Sequence, residues 1–232
     1  MELIWDGLRE AFRILGSGDR DIWAITGRSL LISGSATAVA LIIGVGVGAA
    51  LAFRRFPGRN IVVALVNTGM GLPPVVVGLT VAILLWRSGP FGQLNLIYTP
   101  AAMVVAQAII AGPLVTGFTL AALGALPPRL RPQLYALGAS RWQMLWLVLQ
   151  EARLPLLAAL MAGFGAAISE IGASLMVGGN LAGETRVLTT AVALAVQRGE
   201  FAPAIALSLI LLVLIFLVNL VLTSVQQREQ PS

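Results

Sequence analysis

The sequence contains no cysteine, no histidine and no lysine, and all 15 of its basic residues are arginine. Cysteine and histidine are the side chains that most often hold transition metals or act as nucleophile or acid–base group near neutral pH. A phosphate-binding loop of the G-x-x-x-x-G-K-S/T type is also excluded, because it requires lysine. We therefore expect a chain that is not an enzyme and has no cofactor or metal of its own.

Charged residues are scarce as well: they make up 11% of the 232 residues, whereas 58% are apolar and the mean hydropathy is +0.91. Soluble domains carry about 25% charged residues, so this composition predicts an integral membrane protein. The net charge of +5 would suggest nucleic acid in a soluble protein. Here most arginines fall between apolar runs, where membrane topology explains them, so we expect no nucleic-acid partner.

Five apolar runs are long enough to cross the roughly 30 Å hydrocarbon core of a bilayer as helices. They are residues 29–53, 61–86, 97–123, 154–177 and 202–225. Turn-forming residues separate them, and Thr99-Pro100 is a typical helix start in which the hydroxyl caps and the proline takes the first helical position. We predict an all-α integral membrane fold with five transmembrane helices in one domain, 1–232; six spans is the alternative.

The N-terminal segment, residues 1–20, has an amphipathic pattern. Its apolar residues share roughly one helical face, and these are Leu3, Ile4, Leu8, Phe12 and Leu15. Acidic residues interrupt it, so it does not resemble a cleaved secretory signal. We expect a helix lying on the membrane surface, with a frayed tail as the alternative.

The arginines are distributed unequally between the two sides that five spans define. One side comprises the loops at 54–60 and 124–153 and the C-terminus, and it carries Arg54, Arg55, Arg59, Arg129, Arg131, Arg141, Arg153 and Arg228. Outside the N-terminal segment, the other side has only Arg87, Arg186 and Arg198. The positive-inside tendency predicts that the first side is cytoplasmic and that the N-terminus is extracytoplasmic.

The polar loop at 124–153 has a helical pattern in spite of its polarity. Apolar residues recur at helical spacing in "QLYALGASRWQML" from Gln133 to Leu145. Gly138-Ala139-Ser140 interrupts the pattern, and small residues there would let two short helices turn against each other or let another protein's backbone approach. The loop is therefore either a linker or a docking surface.

The stretch "LGASRW" from Leu137 to Trp142, followed by "RLP" ending at Pro155, resembles the cytoplasmic loop of the permease subunits of binding-protein-dependent ABC importers. That family's loop starts with Glu-Ala-Ala, where this sequence has Pro132-Gln133-Leu134, and its Leu-Pro comes about one helical turn earlier. Because the glutamate is absent, Arg131 or Arg141 would supply the polar part of the contact.

Further motifs are similar to the oxyanion permeases of the molybdate and tungstate group, and two of them are closest to the tungstate branch. The group motifs are "GLPPVVVGL" at 71–79, "RSGPFG" at 87–92 and "YTPAAMVVAQAIIAGPLV" at 98–115; the tungstate-like ones are "ISEIGASLMVGGN" at 168–180 and "TRVLTTAVAL" at 185–194. The resemblance implies an oxyanion permease for tungstate, with molybdate or sulfate as alternatives, in a bacterial or archaeal plasma membrane.

The same resemblance implies a homodimer, an extracytoplasmic oxyanion-binding protein and a separate ATP-binding ABC subunit that holds ATP and magnesium. The loop at 124–153 would place a short coupling helix in a cleft of that ATPase. The residues expected at this contact are Gln133, Leu134, Leu137, Gly138, Ala139, Ser140, Arg141 and Trp142.

Two features inside the apolar runs are candidates for the translocation path or gate. Pro73 and Pro74 would kink the second span, which a membrane tolerates only where protein or a water-filled cavity covers the freed backbone groups. A kink that only serves packing is the alternative. Glu170 is an ionisable residue in the fourth span, and Ser174, one turn later, is a candidate beside it. We expect Glu170 to bond Ser174 or pair with Arg186, and a protonatable path residue is the alternative.

Residues 178–201 are too polar to span, and they resemble the family's outer re-entrant or surface segment. We expect this outer gate loop to contribute Arg186 and Thr189 to the gate. Arg186 would attract a doubly negative oxyanion, or would only anchor the loop at the interface.

Two other classes of protein remain open. A secondary transporter would require a relay of intramembrane ionisable groups, yet Glu170 stands nearly alone and no inverted repeat is visible. A membrane scaffold would explain the spans but not the patterned loop.

Overall fold

The computed structural model describes residues 2–17 and 20–228, and within these ranges the chain forms α-helices and no strands. The helices are α1 (Glu2–Ser17), α2 (Arg20–Phe53), α3 (Arg59–Met70), α4 (Pro74–Leu85), α5 (Pro100–Gly124), α6 (Leu130–Ala136), α7 (Arg141–Glu151), α8 (Arg153–Ile168), α9 (Gly172–Gly178), α10 (Leu188–Gln197) and α11 (Phe201–Arg228). One short 3-10 turn, Gly92–Leu94, lies between α4 and α5.

Three of these helices, α2, α5 and α11, are each long and apolar enough to cross a membrane without interruption. Two bent pairs pass the same test of length and composition only when each pair is taken as one span: α3 with α4, bent by 103°, and α7 with α8, bent by 73°. In the second pair α8 covers the first part of the predicted fourth span, whereas α7 lies in the predicted cytoplasmic loop. The described part of the chain therefore contains up to five crossings, in agreement with the predicted number and with an all-α membrane fold.

The start of α5 follows from its local sequence. The Thr99 hydroxyl accepts a hydrogen bond from the Ala102 amide at 3.4 Å, and Pro100 occupies the first helical position. Proline suits this position because its missing amide would have no partner inside the helix. The predicted helix start at Thr99-Pro100 is thus confirmed.

The prediction of one kinked second span was wrong in degree, because the helix breaks completely. α3 ends at Met70, and α4 begins at Pro74 after Pro73 in an extended conformation. Each proline disfavours helical backbone in the residue before it, and neither can donate an amide hydrogen bond, so Pro73-Pro74 stops the helix instead of bending it.

The predicted fourth span, 154–177, was also wrong as a continuous helix. α8 ends at Ile168, and α9 starts at Gly172 after a break that contains Ser169, Glu170 and Ile171. No proline lies in this break. Averaged over about 20 residues, the hydropathy of the run stays high across the break, so the length of the run predicted one helix.

The bundle is organised around α5, which packs closely against α2 on one side and α8 on another. A β-carbon on Gly44 would come within 2.8 Å of Val115, and one on Gly48 within 2.7 Å of Thr119. A β-carbon on Gly163 of α8 would also meet Val115, at 2.8 Å. The G-x-x-x-G spacing of α2 therefore serves packing inside one chain, as small residues commonly do between membrane helices.

The N-terminal helix α1 packs against α11. Gly7 lies so close to Ile205 that a β-carbon would overlap its side chain, whereas Phe12 remains largely exposed. Part of α1 is therefore covered by α11. The location of this helix on the membrane surface stays a prediction.

Candidate functional site

The first candidate site is the coupling unit, which we define as residues 130–151 with α6, α7 and the turn between them. Gly138 has a φ of +85°, a left-handed conformation that glycine adopts without the strain of a side chain. Its amide donates to the Tyr135 carbonyl at 3.0 Å, and the Ala139 amide donates to the Leu134 carbonyl at 3.0 Å. These bonds end α6, so the interruption expected at Gly138-Ala139-Ser140 is present.

A capping box begins α7 directly after this turn. The Ser140 hydroxyl accepts from the Gln143 amide at 3.3 Å, and the Gln143 side-chain oxygen accepts from the Ser140 amide at 2.9 Å. Reciprocal bonds of this kind satisfy amides at the helix start that otherwise lack partners. The turn and the start of α7 therefore have a defined geometry before any partner binds.

The other side of α7 fixes the coupling unit to the membrane helices. Met144 and Val148 are buried in a cluster with Ala49 of α2 and Leu123 of α5. The same cluster includes Ala152, which is the single residue between α7 and α8. The coupling unit is thus packed directly on the bundle.

The outward side of the coupling unit exposes large apolar side chains. Leu137 is 84% exposed and Trp146 64%. An open cleft of about 490 Å³ lies beside the turn and is lined by Leu134, Leu137, Gly138, Ala139, Gln143, Trp146 and Leu147. Such a patch, at a position set by a rigid turn, is typical of a surface that another protein covers.

The structure divides the predicted contact residues between two faces. Leu134, Leu137, Gly138 and Ala139 line the cleft, and Gln133 is exposed on α6 nearby. Ser140 forms the cap, whereas Arg141 and Trp142 line a separate pocket toward α2.

Sequence reasoning missed Trp146, which lies in the cleft one helical turn after Trp142. The sequence contained a signal for Trp146, because it follows Trp142 by four residues, and residues four apart lie on neighbouring parts of one helix surface.

The second candidate site is the junction of the two broken spans. A β-carbon on Gly78 of α4 would lie 2.5 Å from the Ala173 α-carbon, and one on Gly172 of α9 would lie 3.0 Å from Val75. Small residues therefore let α4 and α9 pack with the two breaks side by side. At the break between α3 and α4, Pro73 is exposed and Pro74 is partly buried.

Glu170 lies in this junction and is only 6% exposed. Its carboxylate accepts from the Ala173 amide at 2.7 Å, so it caps α9, and its carbonyl accepts from the Thr189 hydroxyl at 3.1 Å. The expected bond to Ser174 and the expected pair with Arg186 were both wrong. The amides at the start of α9 have no partners inside the helix and lie closer to the carboxylate.

Ser174 has a different partner from the one expected. Its hydroxyl accepts from the Gln107 amide at 3.1 Å, both residues are almost fully buried, and the Gln107 oxygen has no partner among the described residues. This polar contact joins α5 to α9 in the interior. Sequence reasoning missed Gln107, although an amide inside an apolar run of this length was a usable signal.

The outer gate loop, residues 178–201, is tied to the start of α2. Arg28 donates to the carbonyls of Arg186 at 2.8 Å and Gly183 at 2.7 Å, and the Leu188 amide donates to the Ser29 hydroxyl at 2.8 Å. The Arg186 guanidinium itself donates to Asn180, at 3.3 Å. Arg186 is thus engaged within the loop, and the residue that fixes the loop, Arg28, was not singled out from the sequence.

The fold and these two sites define a class of protein: a helical membrane domain with interrupted helices and an exposed apolar patch beside a tight turn. The sequence matches the family described as "Binding-protein-dependent transport system inner membrane component" over residues 40–230. The chain belongs to this family. It is a multi-pass membrane protein, as its composition predicted, and a transport subunit and not an enzyme, as the family resemblance implied.

The chain is similar along most of its length to two curated permeases. It is 41% identical over 201 residues to a Haloferax volcanii protein described as a probable anion ABC transporter permease, covering 84% of this chain and 87% of that one. It is 37% identical over 228 residues to the tungstate uptake system permease protein TupB of Peptoclostridium acidaminophilum, covering 98% and 100% of the two chains.

A solved structure shares the fold. A chain of the inward-facing MetNI methionine ABC transporter superposes with a TM-score of 0.70 at 20% identity, over 91% of this chain and 95% of that one.

Proposed function

We propose that this chain is the membrane permease of an ATP-driven importer whose cargo is an oxyanion, with tungstate as the preferred one. The observation that carries the proposal is the full-length similarity to a tungstate permease, at 37% identity. The family match over residues 40–230 supports the same role. Molybdate and sulfate are the competing oxyanions, because more distant relatives are named for them.

The assembly that we propose contains two copies of this chain, two ATP-binding subunits that carry ATP and magnesium, and an extracytoplasmic oxyanion-binding protein. The absence of lysine supports a separate motor, since this chain cannot form a lysine-containing phosphate loop. The arginine asymmetry supports a cytoplasmic coupling unit and C-terminus and an extracytoplasmic N-terminus.

The connection from α7 to α8 supports a direct mechanical role for the coupling unit. Ala152 both ends α7 and precedes α8, it is completely buried, and the two helices meet at 73°. A displacement of α7 by the ATPase would move α8 without a flexible loop to absorb it. α8 ends at the break beside α4, so closure at the motor would reach the junction of the interrupted spans.

The electrostatics of the junction are compatible with an anion. The carboxylate of Glu170 is turned onto α9, where helix amides compensate its charge. α4 begins at the exposed break, and the start of a helix has a partial positive charge. Glu170 therefore acts as a brace for the gate and not as a group that contacts the cargo.

The test is uptake by proteoliposomes that contain this chain together with its cognate ATPase and oxyanion-binding protein. We expect tungstate uptake that requires ATP and both partners, and that molybdate inhibits more weakly than unlabelled tungstate. Uptake driven by an ion gradient without the ATPase would contradict the proposal and would favour a secondary transporter. A stronger inhibition by molybdate or sulfate would refute only the preference for tungstate.

A further inference from the structure

A basic pocket, separate from the cleft, lies between the end of α2 and the coupling unit. Its volume is about 750 Å³, and its lining residues are Gly46, Ala49, Ala50, Phe53, Arg54, Arg131, Tyr135, Arg141, Trp142, Met144 and Leu145. Three guanidinium groups therefore face one cavity. No acidic residue lines it, and none in the described ranges forms an ion pair with these arginines.

Arg131 is held in place without having its hydrogen-bonding capacity used. Its guanidinium carbon lies 4.4 Å from the centre of the Phe53 ring. Its Nε is buried, so an anion in the pocket would bind the two terminal nitrogens. Stacking on an aromatic ring orients a guanidinium and leaves its edge free to donate to an anion. Arginine forks of this kind match the oxygens of phosphate groups.

The opposite wall of the basic pocket is apolar and runs along α2, a helix long and apolar enough to cross a membrane. Gly46, Ala49, Ala50 and Phe53 recur at helical spacing along α2. Gly46 lies seven residues before the end of α2, which corresponds to a depth of about 10 Å along the helix. A soluble anion requires no such wall, whereas an acyl chain would bury its apolar surface along it.

Two exposed aromatic residues of the basic pocket also indicate a position at the level of the lipid headgroups. Tyr135 and Trp142 are both exposed at its rim. Aromatic residues with a polar edge concentrate at the level of lipid headgroups. The basic pocket thus combines a charged rim, aromatic neighbours and an apolar groove, which are the parts needed to hold one amphipathic anion.

We propose that the basic pocket binds an anionic phospholipid of the inner leaflet, with its phosphate on Arg54, Arg131 and Arg141 and an acyl chain along α2. Basic pockets between membrane helices on the cytoplasmic side are suited to such headgroups. Because α6 and α7 contribute lining residues, the bound lipid stabilises the coupling unit against α2. This site is separate from the oxyanion path and does not depend on the cargo.

The test uses the full permease–ATPase complex in phosphatidylcholine nanodiscs and measures binding of phosphatidylglycerol by native mass spectrometry. Arg131→Gln and Arg141→Gln should each weaken phosphatidylglycerol binding about five-fold. Arg55→Gln is the matched control, because it removes the same charge close by but does not line the basic pocket. It should leave the affinity unchanged. Arg141 is exposed, so its replacement keeps the test valid if Arg131→Gln fails to fold.

Further arms replace phosphatidylglycerol with inorganic phosphate or with tungstate at the same concentrations. We expect neither to bind in a way that depends on Arg131 or Arg141. Arginine-dependent binding of a free oxyanion would overturn the lipid assignment. An equal loss in Arg55→Gln, or no loss in either pocket variant, would show that phosphatidylglycerol follows general surface charge, and would also overturn it.

Discussion

Gly138 allows the docking role of the coupling unit to be tested with substitutions that separate backbone strain from bulk. Its φ of +85° lies in the left-handed region, and a β-carbon there would meet nothing within 4 Å. Alanine therefore adds strain without a clash. That strain is about 1–2 kcal/mol. A free alanine variant relieves it by leaving the left-handed conformation, so docking must restore the turn at a cost of about 5- to 30-fold in the binding constant. Asparagine tolerates the conformation but adds a side chain to the docking face.

We expect Gly138→Ala to weaken binding of the ATPase about 5- to 30-fold and to lower ATP-dependent uptake accordingly. If close approach also matters, Gly138→Asn should lose binding too, and Gly138→Leu should abolish uptake while membrane levels stay normal. Gly199→Ala is the matched control, since Gly199 has a φ of +73° in equally open space on the predicted outer side. Affinity is measured by titrating the purified ATPase, and folding by thermal melting.

The outcome that would refute the reasoning is normal ATPase affinity and uptake in both Gly138→Ala and Gly138→Leu. Neither the turn conformation nor the open space around it would then be required. A loss of affinity in Gly199→Ala of the same size would also contradict it, because the effect would follow from general destabilisation.

Three further predictions concern the cleft, the cap of α9 and the packing of α2. Trp146→Ala should weaken ATPase binding by about 2 kcal/mol without changing the melting temperature, and unchanged affinity would remove it from the contact. Glu170→Ala should lower the free energy of unfolding by about 1–3 kcal/mol because it leaves buried amides unpaired. Glu170→Gln keeps an oxygen that can accept from these amides, so it should retain most of the parent's stability. Equal melting temperatures of the two variants would argue against capping. Gly48→Val should lower the free energy of unfolding by about 1–3 kcal/mol, because the new side chain overlaps Thr119. Gly34→Ala adds a β-carbon in open space and should melt like the parent. Equal losses of stability in the two variants would contradict the packing of α2 against α5.

The features that local sequence determines were predictable. Thr99-Pro100 carries its own cap and helix start, and Gly138 marks a turn because other residues are strained there. Hydropathy counted the crossings because it measures composition over about 20 residues. The same averaging concealed the break at 169–171, where a polar pair interrupts a run that remains apolar on both sides.

The partners of the polar residues could not be predicted in this way. Ser174 bonds Gln107, 67 positions earlier, and Arg28 bonds Arg186, 158 positions later. Such pairs depend on how helices pack, and a single sequence contains no direct record of that. Sequence spacing favoured Ser174 as the partner of Glu170, but the amides at the start of α9 were the nearer donors.

The single buried residue between α7 and α8 restricts how the chain can change length. One residue inserted beside Ala152 would rotate the two helices relative to each other by about 100°. The exposed tryptophan side of α7 would then face in a new direction while α8 kept its place in the bundle. Insertions before Leu130 would leave the angle between α7 and α8 intact. The rotation of α7 relative to α8 is therefore set by the number of residues that connect them at Ala152.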